Sequence, residues 1–170
     1  MRLKRNIFRL FLITKITKMN RNLNKSCLQI VMRQDFLIMR KAPLTSIDIY
    51  GNTYLIDDLS QYINDLAIFY GSDLRGRNLA MAKITGIKYK LPLLISNKAK
   101  IYYLKTRNLM AEDCVLINYY WFDHYKALKN MTELYFRNGY KIVIDVDYRI
   151  IKRQVAIIQK YLNIYECSVV

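Results

Sequence analysis

Apolar positions recur with two different periods along this chain, and the places where the period changes mark the elements. From Cys27 to Met39, CLQIVMRQDFLIM sets short apolar stretches on either side of Arg33-Gln34-Asp35, which predicts two short strands joined by a turn and ended by Pro43. Residues 47–57, IDIYGNTYLID, alternate about Gly51-Asn52 and predict a hairpin. The period then becomes helical. Leu59, Tyr62, Ile63, Leu66 and Phe69 fall on one helix face, with Asp57 or Asp58 placed to cap it and Gly71 to stop it. A second helix is expected from Ser72 or Asp73 to Ile84, with Leu74, Leu79 and Met81 available for burial and Gly86 where a terminating glycine belongs.

Tyr89–Ile95 and Lys100–Leu104 read as a strand pair closed by Ser96-Asn97-Lys98, with Lys88 and Lys90 alternating against Ile87, Tyr89 and Leu91 and so sharing one strand face. VLINYYWF (115–122) and ELYF (133–136) are rich in aromatic and β-branched residues and predict sheet. Asn138-Gly139 predicts a two-residue hairpin turn from ELYF into YKIVI (140–144). A helix of about four turns closes the chain, capped by Asp145 or Asp147. Its apolar stripe is Ile150, Ile151, Val155, Ile158 and Leu162, and Arg149, Lys152, Arg153 and Lys160 lie on or beside the other face. The fold class is therefore α+β, mainly antiparallel sheet with short helices and a C-terminal helix. Residues 26–170 form a single domain, preceded by a basic arm over residues 1–25.

Composition narrows the class. With 53% apolar residues in a chain of 170, a folded core is expected in spite of the charge. The apolar run Ile7–Ile13 is interrupted by Arg9 and followed by Lys15 and Lys18, too short and too charged for a signal peptide or a membrane span; the expected location is the cytoplasm, with no membrane partner. Cys27, Cys114 and Cys167 lie far apart and His124 is the single histidine, so no zinc-ligand set can be drawn and no metal or cofactor is expected. No enzyme emerges either. Gly71-Ser72-Asp73-Leu74-Arg75-Gly76-Arg77-Asn78 has the wrong spacing for a phosphate loop, with Arg-Asn where Lys and Ser/Thr are required. Glu112 and Asp113 would oppose a thiolate at Cys114. Asp123 and His124, adjacent in a predicted strand, are expected to point to opposite faces and form no relay.

Charge changes the picture most. The net charge is +15, and it is distributed in blocks: residues 1–41 carry +10, residues 42–73 carry −5, and residues 74–109 carry nine basic side chains and no acidic one. An excess of this kind selects polyanionic partners. Within the acid-free block, Arg75, Arg77, Lys83, Lys88 and Lys90 are the leading candidates for contact with DNA, and Lys105 and Arg107 follow. An arginine flanked by glycine suits a narrow A·T minor groove, whose potential attracts guanidinium while glycine permits close backbone approach.

The same stretch, FYGSDLRGRNLAMAKITGIKYKLPLLIS, resembles the signature of the competence transcription factor family, the ComK-like proteins. The matching positions are Phe69, Tyr70, Gly71, Ser72, Gly76, Arg77, Lys88 and Pro92, and the likeness continues through IYYLKT (101–106), Cys114, Ile117, the FRNG turn (136–139) and the C-terminal helix, over about residues 69–162. Asp73 stands where the family usually has a second serine, and Trp121 stands displaced from the family's Cys-x-Trp pattern at Cys114. The resemblance implies a sequence-specific activator of DNA-uptake genes. It would bind paired A/T-rich boxes of double-stranded DNA largely through the minor groove, act as a homo-oligomer, and have its level set by an adaptor–protease system. A rival from another class is a non-specific RNA- or ribosome-associated basic protein using the same charge. A third is a peripheral membrane protein docked through residues 1–18.

Overall fold

A strand covered on both faces needs apolar residues at every position, and FLIM, LLI and VLI in this chain have that form. In the computed structural model, which describes residues 36–40, 45–55 and 58–167, these runs lie in strands of one sheet and all but Val115 are buried, FLIM and VLI at its centre and LLI at one edge. The expected arm over residues 1–25, the first strand of the pair beginning at Cys27, and Pro43 lie outside the described residues. Those residues form β1 (Phe36–Arg40), β2 (Thr45–Asp48), β3 (Thr53–Leu55), α1 (Leu59–Phe69), α2 (Leu74–Thr85), β4 (Leu93–Ser96), β5 (Ile101–Lys105), β6 (Val115–Asn118), β7 (Phe122–Ala127), β8 (Thr132–Phe136), β9 (Lys141–Ile144) and α3 (Tyr148–Cys167). This is an α+β fold with antiparallel sheets and a C-terminal helix, as the periodicity predicts.

Six strands pair in the order β3-β2-β1-β6-β5-β4, and β7-β8-β9 make a second, three-stranded sheet. The period of two along each central strand sends side chains to two cores. Met39, Leu93, Ile95, Ile101, Tyr103 and Leu116 meet Leu59, Ile63, Leu66 and Ala67 of α1. Ile38, Leu94, Tyr102, Leu104 and Ile117 meet Ile151, Ile157, Ile158 and Tyr161 of α3 together with Phe122, Leu134 and Phe136 of the small sheet. Leu37 joins Ile38 on this second side because the β1–β2 register slips between Phe36 and Ile38.

Caps decide the helix starts. The Asp58 carboxylate accepts the N–H groups of Ser60 (2.8 Å) and Gln61 (3.0 Å). Of the two candidates ahead of α3, Asp147 is the cap: its carboxylate accepts the Arg149 N–H at 2.8 Å and its carbonyl accepts that of Ile150 at 3.0 Å. Hydrogen bonds from the Arg149 side chain and backbone hold the Asp147 pKa down at about 2.

Several expectations are corrected. The turn at Asn138-Gly139 has three residues, not two: Phe136 and Tyr140 close Arg137-Asn138-Gly139, with Gly139 at φ 83°. The hairpin at Gly51 repeats this design, Asp48 and Asn52 closing Ile49-Tyr50-Gly51 with φ 82° at the glycine. VLINYYWF is not one strand, because Asn118 Oδ1 accepts the Tyr120 N–H (3.0 Å) and turns the chain at Tyr119–Trp121 into the separate strand β7. The β7–β8 register then slips between Phe122 and His124. Strict alternation fails there, and Asp123 Oδ2 reaches His124 Nδ1 at 2.8 Å, a contact that the period of two had excluded. Both side chains are exposed and make an ordinary surface pair.

The last helix has 20 residues, longer than the four turns expected; its final turn carries Ile164 and Tyr165, both exposed, with Tyr165 stacked on the buried Tyr161. The stripe itself is rotated. Ile151, Gln154, Ile157, Ile158 and Tyr161 are buried, while Ile150, Val155 and Leu162 lie at its margins. Tyr161 is tolerated because its hydroxyl accepts from Asn97 Nδ2 at 2.7 Å, while Asn97 Oδ1 in turn accepts from the Tyr102 hydroxyl at 3.1 Å. Ile158→Ala, which opens a hole between α3 and the large sheet, should cost roughly 2–5 kcal/mol in denaturant unfolding. Lys160→Ala, on the exposed side, should stay within about 0.5 kcal/mol of the parent.

Candidate nucleic-acid interface

The basic block begins at a corner between two helices. α1 ends at Phe69 with Tyr70 as its C-cap, Gly71 takes φ 90°, and Asp73 caps α2 by accepting the Gly76 N–H at 2.7 Å. Gly76 is needed inside this corner. A Cβ there would stand 2.6 Å from Ser72 Oγ and 3.2 Å from the capping Asp73 Oδ1. Arg77, half-buried, turns back and its Nη2 donates to the Tyr70 carbonyl, placing a cation at the C-terminal end of α1, where the helix dipole favours one. Its Nε is buried with no hydrogen-bond partner among the described residues. The glycine–arginine segment thus builds the α1–α2 corner.

Along α2 the outward side chains are Arg75, Leu79, Ala80, Lys83 and Ile84, while Met81 and Thr85 are buried. Leu79, expected to be buried with Met81, is 57% exposed. Two residues apart on a helix is about 200°, so the two cannot share the inward face. Arg75 and Lys83 are two turns apart, about 12 Å along the axis. Gly86, at φ 72°, ends the helix with its N–H on the Ala82 carbonyl (2.9 Å).

Lys88 and Lys90 follow, both exposed, on a loop and not on a strand face as the alternation suggested. The strand begins at Leu93, and Lys90 takes the left-handed φ of 54° that breaks an extended run. Two residues of α3 fix this loop from 64 positions away. Arg153 Nη2 donates to the Tyr89 carbonyl (3.0 Å), and Gln154 Nε2 donates to the Lys90 carbonyl (2.6 Å). The other end of the Gln154 amide, Oε1, accepts the Lys105 N–H of β5 at 3.0 Å. Lys90 and Lys105 therefore meet across one buried amide. The Lys105 side chain is half-buried, and desolvation lowers its pKa from the usual lysine range. Arg107, though exposed, pairs with Asp113.

The structure thus gathers Lys83, Lys88 and Lys90 at the end of α2 and the loop after it, and brings Arg153 against the same loop. Arg75 stands at the far end of α2, Arg77 is folded inward, and Arg107 is engaged elsewhere. Sequence reading passed over Gln154 and Tyr89 and left Arg153 on an unassigned helix face. A polar residue at position 154 in an otherwise apolar helix stripe is a signal of a buried partner, but the partner's identity requires the fold. Among the described residues there is no group of three or more His, Cys, Asp or Glu placed to hold a metal ion, and no helix long and apolar enough to cross a membrane.

Residues 24–167 match the model of the family described as ComK protein. The chain belongs to the ComK family. No curated protein and no solved structure matches it. ComK proteins are competence transcription factors, and the glycine–arginine corner, the pinned basic loop and the C-terminal helix all lie inside the matched span. In this chain Arg77→Ala should lower stability by roughly 1.5–3 kcal/mol, the range for a charged hydrogen bond, in urea unfolding. Arg75→Ala should leave stability within about 0.5 kcal/mol. An equal, small effect of both would mean that the corner does not depend on Arg77.

Proposed function

We propose that this ComK-family chain is a sequence-selective DNA-binding activator of competence genes that recognises A/T-rich boxes largely through the minor groove. The observation that carries the reading is the exposed succession Lys83, Lys88 and Lys90, free of acidic neighbours in sequence, with the loop that bears the last two held by α3. Cations on a fixed support release condensed counterions from phosphates with little ordering cost of their own. A narrow A·T minor groove has a deepened negative potential that draws such groups in, while its edges distinguish A·T from G·C and little else. Selectivity then needs a second box at a set spacing, which a homo-oligomer supplies. Arg75 and Lys105 extend the surface at its two ends. Arg77 contributes through the corner it closes, and Arg107 contributes if DNA displaces Asp113. The basic arm over residues 1–25, ahead of a single domain over 26–170, would add phosphate contacts, and an adaptor–protease system would set the protein's level in the cytoplasm.

The test is a salt titration of binding to a duplex with two A/T boxes, to the same duplex with G·C boxes, and to single-stranded RNA. About five neutralised phosphates would give a slope of log K against log salt of roughly −4.5. The A/T duplex should keep at least about a tenfold preference at physiological salt. Equal affinities for all three that collapse together as salt rises would replace this reading with a non-specific nucleic-acid binder.

A further inference from the structure

Between Lys88 and Lys90 stands Tyr89, 76% exposed, the most open of the large apolar side chains among the described residues. An aromatic ring left in water is unremarkable on a loose loop, but this loop is fixed on every side. The Ile87 N–H donates to Thr85 Oγ1 at 3.2 Å before the ring. The Tyr89 carbonyl accepts from Arg153 and the Lys90 carbonyl from Gln154, which is itself 2% exposed. Lys90 is locked at φ 54°, and Leu91 and Pro92 are buried directly after it. A rigid backbone therefore presents a ring flanked by two cations, with no described aromatic neighbour to stack on it. Nucleic acid offers both complements at once: anionic phosphates for the lysines and an apolar sugar or base surface for the ring.

We propose that Tyr89 is a DNA contact, its ring packed against sugars and bases of the duplex while Lys88 and Lys90 engage the flanking phosphates, and that Gln154 and Arg153 are positioning residues that hold this tooth in place. The inference deepens the DNA-binding reading and rests on it. An uncharged ring and a charged lysine leave different marks on a salt titration, which makes the roles separable. Removing the ring changes affinity at every salt concentration equally, whereas removing one lysine–phosphate contact also changes the slope.

The experiment uses the full chain and the two-box A/T duplex, with fold checked by circular dichroism. Tyr89→Ala should weaken binding about tenfold or more with an unchanged salt slope. Tyr89→Phe should stay within about twofold, and Lys88→Ala should lower the slope by about one. Gln154→Leu should cost a similar factor in the parent but little more in the Tyr89→Ala background, the non-additivity expected of a residue acting through another. Tyr89→Ala binding within twofold of the parent overturns the proposal. So does loss of binding together with dissociation of an oligomer in sedimentation, which would place the ring against a second copy of the chain. Additive losses in the double variant would remove the positioning role of Gln154. If the parent shows no A/T preference, the activator reading fails, yet the Tyr89→Ala comparison on the same duplex still decides whether the ring touches DNA.

Discussion

A buried amide has to satisfy both its ends, and the side chain of Gln154 does so by joining two segments that are otherwise far apart in the chain. One end takes the Lys105 N–H at the end of β5; the other gives a hydrogen bond to the Lys90 carbonyl in the loop that follows α2. With an apolar residue at 154 those two backbone groups would lose their partner in a half-buried setting, at a cost of about 1–3 kcal/mol each. The position of α3, the start of β4 and the shape of the basic loop all follow from satisfying this one group. Its neighbours Arg153 and Tyr161 extend the same logic, tying α3 to the Tyr89 carbonyl and to Asn97.

That arrangement resolves a conflict within the chain. Nine basic side chains without an acidic one between residues 74 and 109 repel one another, and a loop carrying several of them would tend to spread. Hydrogen bonds to main-chain carbonyls hold the loop without neutralising its charge, because a carbonyl is a partner that brings no countercharge. Arg77 is handled in the same way at the α1–α2 corner, where its partner is the Tyr70 carbonyl. Of these nine, Arg107 is the one paired with a carboxylate, that of Asp113. The cationic surface is kept in shape and kept charged by the same device.

Much of this fold could be read from local pattern. The caps at Asp58 and Asp73, the terminating Gly86 and the glycines of both hairpins each act within four residues of their partners, so the sequence carries them openly. What escaped depends on partners far along the chain. The strand expected from Tyr89 fails because Lys90 is drawn into a left-handed turn beside Gln154, 64 residues on. The rotation of the α3 stripe toward Gln154 and Tyr161 has the same origin, since both are polar until their distant partners are known. Asp123 and His124 meet because the β7–β8 register slips beside them, a shift that strict alternation cannot express. At the candidate site, the residue types and the acid-free block were visible early. The inward turn of Arg77, the exposure of Leu79 and the exposed ring of Tyr89 were not, because each is decided by which face of α2 or of its loop the core takes.

The distance of 64 residues between the basic loop and the helix that fixes it also orders events in time. A ribosome adding roughly 5–20 residues each second releases Lys88 and Lys90 about 3–13 s before Arg153 and Gln154 exist. Throughout that interval the nascent chain carries the charge of a nucleic-acid binder without its form. Attraction to polyanions comes first, and the geometry that could make it selective arrives only with the last helix.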